Sequence, residues 1–302
     1  MEFRVSKTTV VNVLNIPMTE RKRKQKTAVS IIGSGRLGTT LGVALLHRGY
    51  SIQSLVTRRV QSAHKAARLL DAESQVLAAR ELQSLKPAHV FLITVPDDQI
   101  AIVAEEMGRL EFNATALHTS GALSSEVLAP LRKKGWHTGS IHPLLSVSKA
   151  GDPIEGAFWS VEGDKSAVRL GKTIVQDLGG RSFFIRSEDK PLYHAAAVMV
   201  SGNVTALFDV ALGMLGDCGI KRTTARSILL PLIASTVRNL ETKDPAQALT
   251  GTFSRGDLET VKRHLAAIKD NQDALELYRL LGKRSLKLTK EHPQITQLLD
   301  SV

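Results

Sequence analysis

Three glycines in the stretch VSIIGSGRLGTTLG (Val29–Gly42) stand at the spacing G-x-G-x-x-G: Gly33, Gly35 and Gly38. An apolar run enters them and a helix-like pattern follows, the setting in which such a loop holds a dinucleotide. Gly33 permits the tight turn, Gly35 lets the backbone approach a pyrophosphate, and Gly38 lets the helix pack closely on the strand. Ser34, Arg36 and Leu37 complete the loop. The start of the helix offers unpaired N–H groups and a partial positive charge to the anion. The bland alternative is a glycine-rich turn with no ligand.

Which dinucleotide is read at the end of the second strand. A site for NAD usually places an acidic residue there, to bond the ribose 2′-hydroxyl. This chain instead has Thr57, Arg58 and Arg59, and no Asp or Glu occurs between Gly38 and Asp71. Two guanidinium forks match the oxygens of a 2′-phosphate, so NADP is the expected cofactor. The alternative is that both arginines are solvated charges on a strand end. Further candidates follow other strand-like runs: Val95, Pro96 and Asp97 in TVPDDQI, His118 and Ser120 in HTSG, and His142 in SIHPL. In an open parallel sheet the ligand lies beyond the carboxyl ends of the strands, which places these residues on one rim. Each could equally make a structural hydrogen bond at a strand-to-loop junction, and Asp97 or Asp98 could cap the next helix.

The elements that must position these groups alternate in type. Strands are expected at 28–32, 51–56, 89–95, 114–119, 136–142, 157–163 and 181–185. Helices are expected at 36–48, near 124–134 and near 165–178, with Gly49 and Gly179-Gly180 as stops. HVFLITV (89–95) is apolar throughout, as a parallel strand covered on both faces would be. From about 188 helical periodicity dominates. The fold class is therefore α/β, a Rossmann-type doubly wound parallel sheet followed by an all-helical C-terminal domain. The expected division is a basic, flexible leader over 1–26, an NADP-binding domain over 27–187 and a helical domain over 188–302.

Composition sets further bounds. The chain has 302 residues, a net charge of +11 and one cysteine, Cys218. A lone cysteine excludes an internal disulfide and suits a reducing cytoplasm. Residues 1–26 carry seven lysines and arginines against two glutamates, nearly half of the excess charge. No basic run is interleaved with aromatics, so no nucleic-acid partner is expected. The leader lacks the pattern of a signal peptide, and Met18 is an alternative start. The apolar stretch 195–216 is long enough to span a bilayer, but Asn203 and Asp209 interrupt it. A buried helix of a soluble domain is the expectation, with no membrane association. It is apolar around most of its circumference, which points to a homodimer. The nine histidines show no metal-ligand spacing, and no metal is expected.

The ordered set IIGSGRLGTTLG, TVPDDQI, HTSGAL, GSIHPL, KPLYHAAAVMVSGNVTAL and LTGTFSRGDLETVKRHL resembles one family. That family joins a Rossmann-like domain to a helical domain of unknown function, number 2520. It is regarded as NADP-dependent oxidoreductases without an established substrate. It is similar in turn to pyrroline-5-carboxylate reductase, prephenate dehydrogenase and the 6-phosphogluconate dehydrogenase group, whose helical domains also dimerise. The resemblance carries Lys190, Tyr193, His194, Ser201 and Asn203 into the candidate site. One departure is Thr252, where a proline is expected after the glycine of TGTFSRGD. Asp257 is expected to cap a helix, and the role of Arg255 is open.

Hydride transfer to C=O or C=N needs a nearby donor for the developing charge. His194, Asn203, Lys190 and His142 are of the right types and form the candidate catalytic set. The resulting expectation is an NADP-dependent oxidoreductase acting on a small carbonyl, imine or hydroxy compound. The rival is a non-catalytic NADP-binding sensor or scaffold, which steady-state turnover would separate from the first.

Overall fold

The computed structural model describes residues 27–70, 73–290 and 292–301. The expected basic leader, 1–26, lies outside them. Chain contacts divide the molecule into two compact units, Met1–Ala195 and Ala196–Val302.

The first unit runs β1 (Ala28–Ile32), α1 (Arg36–His47), β2 (Ser51–Thr57), α2 (Val60–Leu70), β3 (Gln75–Ala78), β4 (Val90–Ile93), α3 (Asp97–Met107), β5 (Thr115–His118), α4 (Ala129–Arg132), β6 (His137–Leu144), β7 (Phe158–Gly163), α5 (Lys165–Asp177) and β8 (Arg181–Phe184). α6 (Lys190–Val200) begins in this unit and carries the chain into the second. The eight strands form one sheet in the order β3-β2-β1-β4-β5-β6-β7-β8. All neighbours are parallel except β6 and β7, which pair antiparallel with His142 opposite Ser160.

The two-residue period of the strands divides the core between the two faces of the sheet. Val29, Ile31, Val90 and Leu92 point into a layer with α1, α2 and α5. Ile32, Phe91 and Ile93 point the other way, against α3 and the Trp136 region. Covered on both faces, these strands are continuous apolar runs, which is why they were legible. The consequence for function is directional. β1, β2, β4, β5 and β6 all end on one rim, so Gly33, Thr57, Val95, Ser120 and His142 share it.

The expected helix near 124–134 is a 3₁₀ turn, Ser125–Leu128, followed by the short α4. β3 was not foreseen, being only four residues long. The first unit extends past the expected boundary at 187/188, because the opening turn of α6 packs on the sheet, with the rings of Tyr193 and Phe183 5.9 Å apart.

The second unit contains α7 (Gly202–Asp217), α8 (Arg222–Leu240), α9 (Pro245–Ala248), α10 (Thr252–Arg255), α11 (Leu258–Ile268), α12 (Gln272–Leu286) and α13 (Pro293–Asp300). Its core joins Val261, Leu265 and Ile268 to Leu275, Leu286, Ile295 and Leu299, with Val210 and Met214 of α7 against it. Asp257 caps α11 through Thr260 N at 3.1 Å. Thr252 opens α10, the first helical position, which also suits proline.

The reading of 195–216 as one buried helix is corrected. The stretch breaks at Ser201, whose hydroxyl donates to the Ala197 carbonyl at 2.9 Å, a back-bond that bends helices. Gly202 opens the next helix. The region is also largely exposed: of its most apolar part only 6% is buried, and by length and composition 187–217 would suffice to cross a membrane. Hydrophobic composition records a need for neighbours, and packing against α8 and α12 leaves much of α7 uncovered.

A local anchor of the sheet is Asp164. It accepts from Ser166 N and Ala167 N at the start of α5, and from Thr138 N of β6 at 2.6 Å. Asp164→Ala is expected to cost about 1–2 kcal/mol, the scale of a lost helix cap. Urea unfolding reads this as a lower midpoint, and an unchanged midpoint would remove Asp164 from the list of anchors.

Candidate active site

The glycine loop is shaped by two close approaches. Gly33 has φ +108°, and a side chain there would meet the Thr94–Val95 backbone at 2.7–2.8 Å. A side chain on Gly38 would meet the Gly33 carbonyl and, at 2.5 Å, Thr94 Oγ1. Thr94 fixes the contact by donating to the Gly33 carbonyl at 2.7 Å. Gly35 differs: its backbone is extended and only the Gly33 carbonyl, 3.9 Å away, lies near a would-be Cβ. Packing therefore dictates two glycines, and the third faces open space.

That space belongs to a cleft of about 430 Å³, lined among others by Ser34, Gly35, Thr57, Arg58, Val95 and Pro96. The first amides of α1 have no acceptor within the helix, and no side chain caps them. The Ser34 hydroxyl is buried and makes no hydrogen bond among the described residues. An orphaned buried hydroxyl beside unpaired helix amides fits a phosphate. Arg58 and Arg59 are both exposed, and of the two Arg58 lines the cleft. Arg36 turns away and donates to the Ser148 carbonyl at 3.3 Å, while Leu37 packs on the core.

A second group of polar side chains occupies the same rim. Lys190 has no exposed surface, and its ammonium donates to the Ser120 carbonyl at 2.9 Å and to Ser140 Oγ at 2.8 Å. Burial pushes it down to about 8, with the charges of Glu162 and Asp97 opposing. Glu162 is buried as well, holding Ser125 N, Ser125 Oγ and Ser187 Oγ at 2.7–3.0 Å. Ser120 Oγ donates to Asp97 at 2.8 Å, tying the loop after β5 to the first turn of α3. Asp97 thus bonds a neighbouring loop, while Pro96 occupies the cap position of α3.

His142 is half-buried. Its Nδ1 is 2.8 Å from the Tyr193 hydroxyl, and its ring meets those of Tyr193 and His194 edge-on, with centroids 5.6 Å apart. Burial first, then the charge of Lys190 and the neighbouring His194, push it down to about 4. Gly121 permits this cluster: a Cβ there would lie 2.8 Å from His142 Nε2 and closer still to His194 Cδ2. His118 is fully buried beneath the rim, where burial and Lys190 push it down to about 3, and its Nδ1 accepts from Ser120 N at 3.2 Å.

The structure therefore brings Lys190, His142 and His194 together, and places Asn203 in the second unit, exposed in the first turn of α7. Lys190 and His118 are enclosed by protein, so they act on the site through the groups they hold. Sequence reading missed Glu162, Ser125, Ser140 and Gly121, and also the cleft-lining Ser62, Leu82, Thr94 and Gln99. Gln99 was within reach of the strand-end argument. Glu162 was not, since its place depends on the antiparallel register of β7. Among the described residues no group of three or more His, Cys, Asp or Glu could hold a metal.

Comparison with known proteins matches this plan. Residues 15–143 match a Rossmann-like domain, and residues 157–285 match a domain of unknown function, DUF2520. The chain combines these two domains. A solved structure from Bacteroides fragilis, provisionally described as an NADP oxidoreductase, superimposes with a TM-score of 0.73 at 23% identity, covering 87% of this chain and 99% of that one. A protein from Thermotoga maritima gives 0.68 at 26% identity, covering 87% and 98%. The reductive aminase of Aspergillus terreus, solved with NADPH and ethyl levulinate, gives 0.63 at 14%, covering 91% and 98%. No curated protein matches the sequence.

Two predictions follow from the geometry. Gly35→Val is expected to fold, since its Cβ has room, and to lose dinucleotide binding in a calorimetric titration; retained affinity would show that the loop is not the site. The second concerns pH. Unfolded histidine protonates near 6.5, whereas folded His142 and His118 do so only near 4 and 3. The unfolded chain binds more protons across that window, so stability falls as pH drops through it. Lys190 has the same sign at the other end: its folded value of about 8 lies below the ordinary 10.5, so stability rises with pH over that interval. Lys190→Met is expected to abolish this alkaline rise, measured as urea midpoints at about pH 7.5 and 9.5; an equal rise in both proteins would contradict the assignment.

Proposed function

We propose that the protein is an NADP-dependent oxidoreductase that passes a hydride between the nicotinamide and a small carbonyl, imine or hydroxy compound. The observation that carries the reading is one sheet rim holding both a phosphate-ready cleft and His142, a histidine kept neutral. The cleft supplies unpaired amides, an orphaned Ser34 hydroxyl and Arg58; the cluster supplies His142. The nicotinamide, when bound, gives or takes the hydride.

The chain's own residues do the rest. The amides of α1, with Ser34, hold the pyrophosphate, and Arg58 with Arg59 hold the 2′-phosphate. Uncharged at neutral pH, His142 can share a proton with a reacting oxygen or nitrogen. Lys190 positions the rim by clamping Ser120 and Ser140, and Asn203 remains a candidate from the second unit. The solved neighbours described with NADP or NADPH support the same cofactor.

The protein works as a homodimer in this proposal. Met199, Val200, Ile228 and Leu232 are exposed by 51–76%, a surface too apolar to leave to water. A second copy covering α6–α8 would bury it, and 187–217 is then a partner-facing segment that does not cross a membrane. A cytoplasmic location suits the free, exposed Cys218.

Replacing both Arg58 and Arg59 by Ala is expected to cost about 1–3 kcal/mol in NADPH affinity, the scale of lost charge-assisted bonds. NADH affinity should stay within error, and equal losses for both cofactors would remove the 2′-phosphate assignment. Turnover itself is tested by NADPH consumption across a panel of small carbonyl and imine compounds. A productive compound should lose at least about 100-fold in rate with His142→Ala while cofactor affinity holds. Tight NADPH binding with no turnover on any compound would favour the sensor.

A further inference from the structure

We propose that Tyr193 is a positioning residue that fixes the tautomer of His142, so that His142 presents Nε2–H, a hydrogen-bond donor, on the ring edge beside Gly121. The inference deepens the reading above, since it rests on His142 facing the substrate.

The argument is a count of protons. Nδ1 of His142 and the Tyr193 hydroxyl are 2.8 Å apart, so one proton lies between them. Two arrangements are possible. In the first the phenol donates to Nδ1, and the ring proton sits on Nε2. In the second Nδ1–H donates to the phenol oxygen, Nε2 is a bare acceptor, and the phenol proton must find another acceptor.

A phenol O–H is a stronger donor than a neutral imidazole N–H, and an imidazole nitrogen a stronger acceptor than a phenol oxygen, which favours the first arrangement, and Ser160 agrees with it. That serine stands opposite His142 in the β6–β7 ladder, and its hydroxyl is buried without a formed bond to any described residue. Its effect on Tyr193 is to lower the phenol's pKa, the effect of a group that donates to the phenol oxygen, against a larger upward push from burial. The first arrangement gives the phenol proton to His142 Nδ1 and leaves the phenol oxygen free to accept from a donor on the Ser160 side. The second turns the phenol toward Ser160 and strands the serine's own proton in the interior. A stranded buried donor costs more than the bond it replaces contributes.

The surroundings hold the arrangement in place. Tyr193 is wedged edge-on between Phe183 of β8, at 5.9 Å, and His142. The imidazole stays uncharged, because it is buried and because Lys190 and His194 lie close to it. Among the described residues none bonds His142 Nε2, and that edge of the ring lies against Gly121, where any side chain would collide. An unbonded N–H donor on that edge suits a substrate oxygen or imine nitrogen that gains negative charge or basicity.

Long-range ¹H–¹⁵N spectra of the full-length, ¹⁵N-labelled protein test this at about pH 7.5, without substrate. In the wild type His142 should show a protonated Nε2 and an unprotonated Nδ1. Tyr193→Phe keeps the ring contacts but removes the hydroxyl, and should yield a mixture of both tautomers. Should that variant fail to fold, Ser160→Ala is expected to keep the wild-type tautomer, since it removes the acceptor that the second arrangement needs, and a switch to Nδ1–H would overturn the proposal. A wild-type Nδ1–H form or mixture would overturn the proposal, and so would a folded Tyr193→Phe with the wild-type spectrum. Neither result would touch the cofactor reading, which calorimetry with NADPH tests separately.

Discussion

An ammonium group with no contact to water holds the rim of the sheet together. Lys190 reaches from the first turn of α6 to the Ser120 carbonyl and the Ser140 hydroxyl, so it joins the loop after β5, the strand β6 and the helix that leads into the second unit. Taking a charge out of water is expensive unless it is bonded and balanced. Here the balance comes from Glu162 and Asp97, each held by its own hydrogen bonds. Burial, and after it the same charge, depresses His142 and His118, which keeps both histidines neutral where histidine otherwise titrates.

The cleft beside the glycine loop is tied to this rim in part by a side-chain bond. Ser120 donates to Asp97, and the adjacent Pro96 and Asp98 line the cleft. Binding of a dinucleotide and placement of the histidine cluster therefore share a framework inside the first unit. The glycine loop itself is rigid for a different reason. Gly33 and Gly38 are locked against Thr94, leaving Gly35 as the one of the three glycines with room beside its backbone.

What could be read in the sequence follows from the range of the physics involved. The glycine spacing, the apolar strands and the caps at Gly49 and Asp257 are local, and each was legible where it stands. His142 and Ser120 were legible as members of one rim because parallel strands end together. The pairing of His142 with Tyr193 was not, because it needs the register of β6 against β7 and the docking of α6. His118 shared the rim by position, yet its ring is enclosed, since the last residue of a strand can face inward as easily as outward. The segment 195–216 shows the same limit from the other side. Its composition demanded burial, but composition does not name the neighbour, and the break at Ser201 comes from a side chain bonding its own backbone.

The account turns on the dinucleotide lying along the glycine loop with its reactive ring at the histidine cluster. A crystal structure of the protein with NADP tests this most directly. The account predicts the pyrophosphate on the first amides of α1 beside Ser34, the 2′-phosphate at Arg58, and the nicotinamide ring next to His142. A cofactor bound elsewhere, or bound in the cleft with its nicotinamide turned away from His142, would contradict it.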